Sequence, residues 1–177
     1  MTGPRRILVA GIGNIFLGDD AFGVEVARLL LARPQPQGVR VIDFGIRGLD
    51  LAYALTEGCD AAILVDAAPR GEPPGTLYVI EPDIETSQPD VGFDGHSMNP
   101  VSVLRLASTL GELPSRVLVL GCEPSRQSSE EDADFELSAP VRAALGPAVT
   151  MVESLIERLA AEDAAFPARP PLHERVG

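Results

Sequence analysis

Apolar positions along the chain form short unbroken runs that alternate with longer stretches of helical spacing. The short runs predict β-strands at 6–10, 39–44, 61–65, 76–80 and 116–121. The longer stretches predict helices at 22–31, 49–55, 99–110 and 138–161, the last kinked or split at Gly146 and Pro147. Because strands and helices alternate, we expect an α/β fold, a three-layer α/β/α sandwich around one five-stranded sheet.

The fourth predicted strand is connected differently from the others. Only the turn-rich segment 69–75 separates it from the third strand, which is too short for the crossover that a parallel pair requires. We therefore expect a mixed sheet with one antiparallel strand. The unbroken run 61–65 predicts a strand that is covered on both faces.

Composition and charge narrow the class of protein. The chain has 177 residues, of which 45% are hydrophobic, and this suits a single α/β domain over residues 1–165. The proline-rich residues 166–177 predict a flexible C-terminal tail. A net charge of -12 argues against nucleic-acid and anionic membrane partners. No membrane span, signal-peptide core or CxxC motif is visible, so we expect a cytoplasmic protein whose cysteines are buried and reduced.

Candidate chemistry begins after the first predicted strand. A glycine-rich turn starting at Gly11 leads to two adjacent acids, Asp19 and Asp20, just before the first helix. In α/β sheets ligands bind beyond the carboxyl ends of the strands. Paired acids repel phosphate, so the expected visitor is a cation or a bound metal. Either acid is also a candidate N-cap of the helix.

Further candidates lie at the same expected edge. Asp66 ends the third strand, and His96 precedes the third helix. If strands one and three are neighbours, with strand two outside strand one, Asp20, Asp66 and His96 converge. Two carboxylates and an imidazole suit a borderline divalent metal, whereas the absence of thiolates argues against structural zinc. Ordinary explanations stay open: a helix cap, a polar strand end and a surface-loop histidine.

Asp43, near the end of the second strand, is a fourth candidate. It precedes Gly45 and Gly48, which permit the crowded or left-handed backbone that a close-fitting peptide would need. The alternative is a turn-forming aspartate.

With these residues the sequence resembles the hydrogenase maturation endopeptidases, which trim the C-terminal extension of the nickel-iron hydrogenase large subunit. The resemblance spans about residues 7–159. It rests on Gly11-x-Gly13-Asn14 with Asp19, Asp20 and Gly23, on Asp43-x-Gly45-x-x-Gly48, on Val65-Asp66-Ala67, on His96, and on Gly121-x-x-Pro124 followed by Leu137, Ser138 and Val141. Ala21 departs from a common glycine, and Ile46, beside Arg47, departs from the usual threonine.

The resemblance carries expectations about the site. It implies metal binding by Asp20, Asp66 and His96 and a role in activity for Asp43, which makes all four candidate catalytic residues. It also implies substrate contacts for Gly45, Arg47 and Gly48 in the loop after the second strand. The implied substrate is a large-subunit precursor of nickel-iron hydrogenase, and the implied metal is nickel carried by that substrate. A resident zinc would fill such a site before the substrate arrived.

Other functions remain open on the sequence alone. A metal-dependent hydrolase of a small substrate would hold stoichiometric metal without its substrate. A non-catalytic partner of the metallated large subunit would leave the substrate's mass unchanged. Nucleotide binding is a weaker alternative, because the glycine-rich turn is not followed by a GKS or GKT motif.

Overall fold

The computed structural model describes residues 3–84, 98–125 and 135–162. Its strands are β1 (Ile7–Ile12), β2 (Val39–Gly45), β3 (Ala61–Ala67), β4 (Leu77–Ile80) and β5 (Arg116–Cys122). Its helices are α1 (Phe22–Leu31), α2 (Gly48–Thr56), α3 (Pro100–Leu110) and α4 (Ala139–Ala161), and a 3₁₀ turn, Gly18–Ala21, precedes α1. None of these helices is both long and apolar enough to cross a membrane.

The strands form one mixed sheet in the order β2-β1-β3-β5-β4. Only β4 runs antiparallel to its neighbour, β5, as its short connection predicts. Gly11 of β1 pairs with Asp43 of β2 on one side and with Val65 of β3 on the other. The condition on which the convergence of the candidate residues depended is therefore met, and the carboxyl ends of β1, β2 and β3 lie side by side.

Each face of the sheet is covered by a helical layer. Ile7 and Val9 pack with α1 and α4 in one core cluster, whereas Leu8 and Ala10 pack with α2 and α3 in the other. Successive residues of a strand point to opposite faces, so an unbroken apolar run fills both clusters. This confirms the three-layer α/β/α sandwich.

Helix α1 approaches the sheet closely because glycines face each other across the contact. A Cβ added to Gly11 would lie 2.6 Å from the Cβ of Ala27, and one added to Gly23 would lie 2.8 Å from the amide nitrogen of Ile12. Neither separation is compatible with a real side chain. The close contact seats the start of α1, and the turn before it, directly on the carboxyl end of the sheet.

The N-cap candidates for α1 were wrong, whereas α4 begins close to its predicted start. The N-cap of α1 is Ala21, without a side-chain capping bond, because the 3₁₀ turn moves Asp19 and Asp20 ahead of the α-helix. Ser138 does occupy the N-cap position of α4 but makes no side-chain capping bond there.

Helix α4 is also continuous where the sequence allowed it to split. It runs through Pro147, and Ala144 and Ala148 on either side belong to one core cluster. Packing of a single apolar stripe therefore outweighs the hydrogen bond that proline cannot donate. Residues 163–177 lie outside the described residues, so the flexible tail stays a prediction.

Candidate active site

The candidate site lies at the carboxyl ends of β1 and β3. Asp66 is the penultimate residue of β3 and is only 4% exposed. Asp20 is half-buried in the 3₁₀ turn that follows β1. The two acids are 46 positions apart in the sequence, yet both lie at the carboxyl-end edge of the paired strands β1 and β3, where the charge of Asp20 raises the pKa of Asp66.

The loop between β1 and the 3₁₀ turn fixes the position of Asp20. Gly13 has φ 144°, and a Cβ there would lie 2.9 Å from the carbonyl carbon of Asp20, so the loop folds back on its own start. The amide of Asn14 then donates a hydrogen bond of 2.7 Å to Asp20 Oδ2. This hydrogen bond fixes the Oδ2 atom of Asp20 at the carboxyl end of β1.

Burial and mutual repulsion determine the protonation of this carboxyl pair. Burial raises the pKa of Asp66 well above its usual value, the charge of Asp20 raises it further, and a backbone hydrogen bond at Ala67 opposes both. The pKa of Asp20 is raised by burial and lowered by its bond from Asn14. Two such carboxyls are stable when one takes a proton or when a cation lies between them.

The full predicted metal set is only partly described. His96 lies outside the described residues, and so its place beside Asp20 and Asp66 stays a prediction. Within residues 3–84, 98–125 and 135–162 no group of three histidine, cysteine, aspartate or glutamate residues is arranged to hold a metal. Carboxylate oxygens are suitable donors for a divalent cation, and metal binding by Asp20 and Asp66 stays a prediction.

Asp43 lies at the same edge, one strand further out. It pairs with Gly11 in the sheet, and its Oδ2 lies 4.0 Å from Nε of Arg28 on α1. The structure therefore places Asp43 beside the loop of Asp20 but turns its carboxylate toward an arginine. Its predicted role in activity stays a prediction.

The loop after β2 holds the three candidate substrate contacts. Gly45 has φ 54°, in the left-handed region, and the Arg47 side chain folds back over the loop. Arg47 donates to the carbonyl oxygens of Asp43 and Phe44 and lies 3.4 Å from Asp50. A Cβ on Gly48 would lie 3.0 Å from Sδ of Met98, just before α3. Arg47 thus orders its own loop, and contact of any of the three with substrate stays a prediction.

Asp19 has a role that the sequence did not reveal. Its side chain is turned inward, accepting hydrogen bonds from the Ser138 amide at 2.7 Å, the Ser138 hydroxyl at 2.9 Å and the Ser125 amide at 2.8 Å. It therefore ties the turn that carries Asp20 to both the end of β5 and the start of α4. The expectation that the two adjacent acids together receive a cation was wrong for Asp19, whose carboxylate is engaged in these bonds. Serines after β5 and at the start of the last helix were the only available signal.

Tyr78 and Gly121 form the wall beside Asp66. Gly121 pairs with Asp66 in the sheet, and its missing side chain leaves the space that the Tyr78 ring fills. The Tyr78 hydroxyl donates to the carbonyl oxygen of Ala68 at 2.8 Å. Burial raises the pKa of Tyr78 to about 12, so this hydroxyl keeps its proton near neutral pH.

The cysteines do not have the properties of nucleophiles. Cys122 is fully buried, and burial raises its pKa to about 12. Cys59 is partly buried, its pKa is also raised by burial, and it lies at the opposite edge of the sheet. A thiol acts as a nucleophile only as the thiolate, which both environments disfavour.

Comparison with known proteins identifies the family of this chain. The model of the hydrogenase maturation protease (HycI) family matches residues 24–155. The hydrogenase expression/formation protein HoxM of Azotobacter vinelandii is 36% identical over 161 residues, which cover 89% of this chain and 75% of that protein. HupM of Azotobacter chroococcum is 36% identical over 154 residues, covering 85% and 72%.

Solved structures give the same result. The hydrogenase maturating endopeptidase HybD from E. coli aligns with a TM-score of 0.72 at 27% identity, covering 87% of this chain and 93% of that one. A hydrogenase 2 maturation peptidase from a Thaumarchaeota archaeon aligns with a TM-score of 0.65 at 31% identity, covering 86% and 99%. This chain is therefore a peptidase that belongs to the hydrogenase maturation protease family.

Proposed function

We propose that this chain removes the C-terminal extension of the precursor of a nickel-iron hydrogenase large subunit after nickel has been inserted. The nickel arrives in the substrate and is not a resident cofactor. The observation that carries the proposal is the carboxyl pair of half-buried Asp20 and buried Asp66 at the strand edge of a family peptidase.

The carboxyl pair supplies a physical reason for preferring a metallated substrate. Without a cation, repulsion and burial favour a proton on Asp66. A precursor that presents nickel replaces that proton and relieves the repulsion between Asp20 and Asp66, so the loaded chain gains Coulomb energy and coordination. A nickel-free precursor gains neither and binds more weakly.

Peptide hydrolysis needs a water oxygen to attack the scissile carbonyl and a proton to reach the leaving nitrogen. In this proposal the carboxylate of Asp20 or Asp66 accepts a proton from that water and passes it to the leaving nitrogen. His96 completes the proposed ligand set with Asp20 and Asp66. Asp43 and the loop of Gly45, Arg47 and Gly48 are proposed to orient the peptide.

Mass spectrometry of the large-subunit precursor tests the proposal. Nickel-loaded and nickel-free precursors are incubated with the purified, metal-stripped protein, and the intact mass is followed with time. We expect the loaded precursor alone to lose the mass of its C-terminal extension. An unchanged mass for both precursors, or equal trimming of the two, would contradict the proposal.

A further inference from the structure

Three consecutive apolar side chains are exposed on the loop that leads to Asp20. Phe16 is 63% exposed, and Ile15 and Leu17 are 39% and 37% exposed. Single exposed apolar residues are ordinary, whereas adjacent ones that form a patch mark an interaction surface.

Hydrogen bonds hold this loop in one conformation. The Phe16 amide donates to the Asn14 side chain at 2.9 Å, and the Leu17 amide donates to the Asn14 carbonyl oxygen at 3.1 Å. The Asp20 amide donates to the Leu17 carbonyl oxygen at 3.1 Å. The apolar side chains are thus presented outward by a fixed loop whose last residues bear the candidate catalytic acid.

A second group of exposed apolar side chains lies in the connection from β2 to α2. Ile46 is 61% exposed, and Leu49 is 54% exposed. The Gly13 amide donates to the Gly45 carbonyl oxygen at 3.0 Å, which joins this connection to the first loop. We call the five side chains together the apolar rim; they are Ile15, Phe16, Leu17, Ile46 and Leu49.

We propose that the apolar rim is the docking surface for an apolar segment of the protein substrate. This rests on the proposed function. The rim lies on the loops that follow β1 and β2, at the sheet edge that bears Asp20, so a protein segment bound at this carboxylate lies next to it. Binding of this segment removes the apolar rim from solvent. This burial contributes affinity and does not alter the carboxyl pair.

Serine substitutions in the rim test this assignment. Phe16→Ser and Ile46→Ser should each raise KM for the loaded precursor about tenfold, because each variant lacks an apolar side chain that the wild type buries on binding. Both variants should keep kcat within about twofold of the wild-type value. Leu31→Ser is the matched control, because Leu31 is 53% exposed at the far end of α1. Its KM should equal that of the wild type.

The outcomes separate this inference from the proposed function. If the wild type leaves the loaded precursor uncut, the proposed function is contradicted. The docking surface is then tested separately by the dissociation constant of the precursor, which should be higher for Phe16→Ser than for the wild type. Rim variants that fold, cut and bind like the wild type overturn the docking surface alone. So does a wild-type dimer that Phe16→Ser dissociates without a change in KM, because the rim would then bind a second copy.

Discussion

Replacing Asp19 with asparagine tests how the turn of Asp20 is held in place. Asp19 Oδ1 accepts the Ser138 amide, and Oδ2 accepts both the Ser125 amide and the Ser138 hydroxyl. An asparagine must direct its NH₂ group toward one of the two backbone amides. The side-chain NH₂ group and that backbone amide are both donors, so no hydrogen bond forms between them. One charge-assisted hydrogen bond is lost in either orientation of the asparagine side chain.

The expected loss of stability follows from these three bonds. A hydrogen bond to a charged group contributes about 1.5–3 kcal/mol, and a buried amide left without a partner costs about 1–3 kcal/mol. We expect Asp19→Asn to lower the free energy of unfolding by about 3 kcal/mol. For a domain of this size that corresponds to a decrease of roughly 6–12 °C in Tm.

Urea and thermal unfolding of Asp19→Asn and Ser138→Ala provide the measurement. Ser138→Ala removes only the hydroxyl bond and keeps both amide bonds to Asp19, so its loss should be about half as large. An Asp19→Asn variant as stable as the wild type, or less destabilised than Ser138→Ala, would refute the reasoning.

Three further predictions concern the carboxyl pair and its wall. The Asp66 carboxyl has a pKa of 3.8 in the unfolded chain and a higher pKa in the folded protein. The folded state therefore gains its full stabilisation from the Asp66 proton below pH 3.8. That stabilisation is lost as pH rises from 3.8 to the folded pKa, by up to about 1.4 kcal/mol per pH unit. Asp66→Asn should abolish this pH-dependent loss and should be more stable than the wild type above the folded pKa of Asp66. The check is the free energy of unfolding in urea, measured against pH for both proteins; the same pH dependence in both would contradict the prediction. Asp20→Asn should lower the pKa of Asp66 in a carboxyl NMR titration, because one cause of its elevation is gone, and an unchanged or higher pKa would exclude the coupling. Gly121→Ala should lower the free energy of unfolding in urea by about 1–3 kcal/mol, because the added methyl group overlaps the Tyr78 ring. A variant as stable as the wild type would show that the ring can move without cost.

Much of the architecture was predictable because it depends on patterns that extend over many residues. The unbroken run of β3 and the short connection before β4 specified a covered sheet with one antiparallel strand. The strand order was only a condition in the sequence-based reasoning, and the structure meets it, with β1 between β2 and β3 and with Asp20 and Asp66 at the same edge.

Local details at the site were not predictable, since they depend on single contacts across the fold. A four-residue 3₁₀ turn has no apolar period, so hydrophobic patterning does not distinguish the inward-facing Asp19 from its neighbour Asp20. The contact of Asp43 with Arg28 joins a strand to a helix that precedes it, and no spacing rule anticipates it. Pro147 continues its helix because the core cluster around it holds both halves.

Trimming of the nickel-loaded precursor by the isosteric variants Asp20→Asn and Asp66→Asn tests the central claim most directly. Glu57→Gln is the control, since Glu57 is an exposed acid beyond the far end of α2. With all three variants folded, we expect the precursor's intact mass to stay unchanged with either aspartate variant and to fall by the mass of the extension with Glu57→Gln. Trimming at the wild-type rate by both aspartate variants would contradict the assignment of this carboxyl pair as the active site.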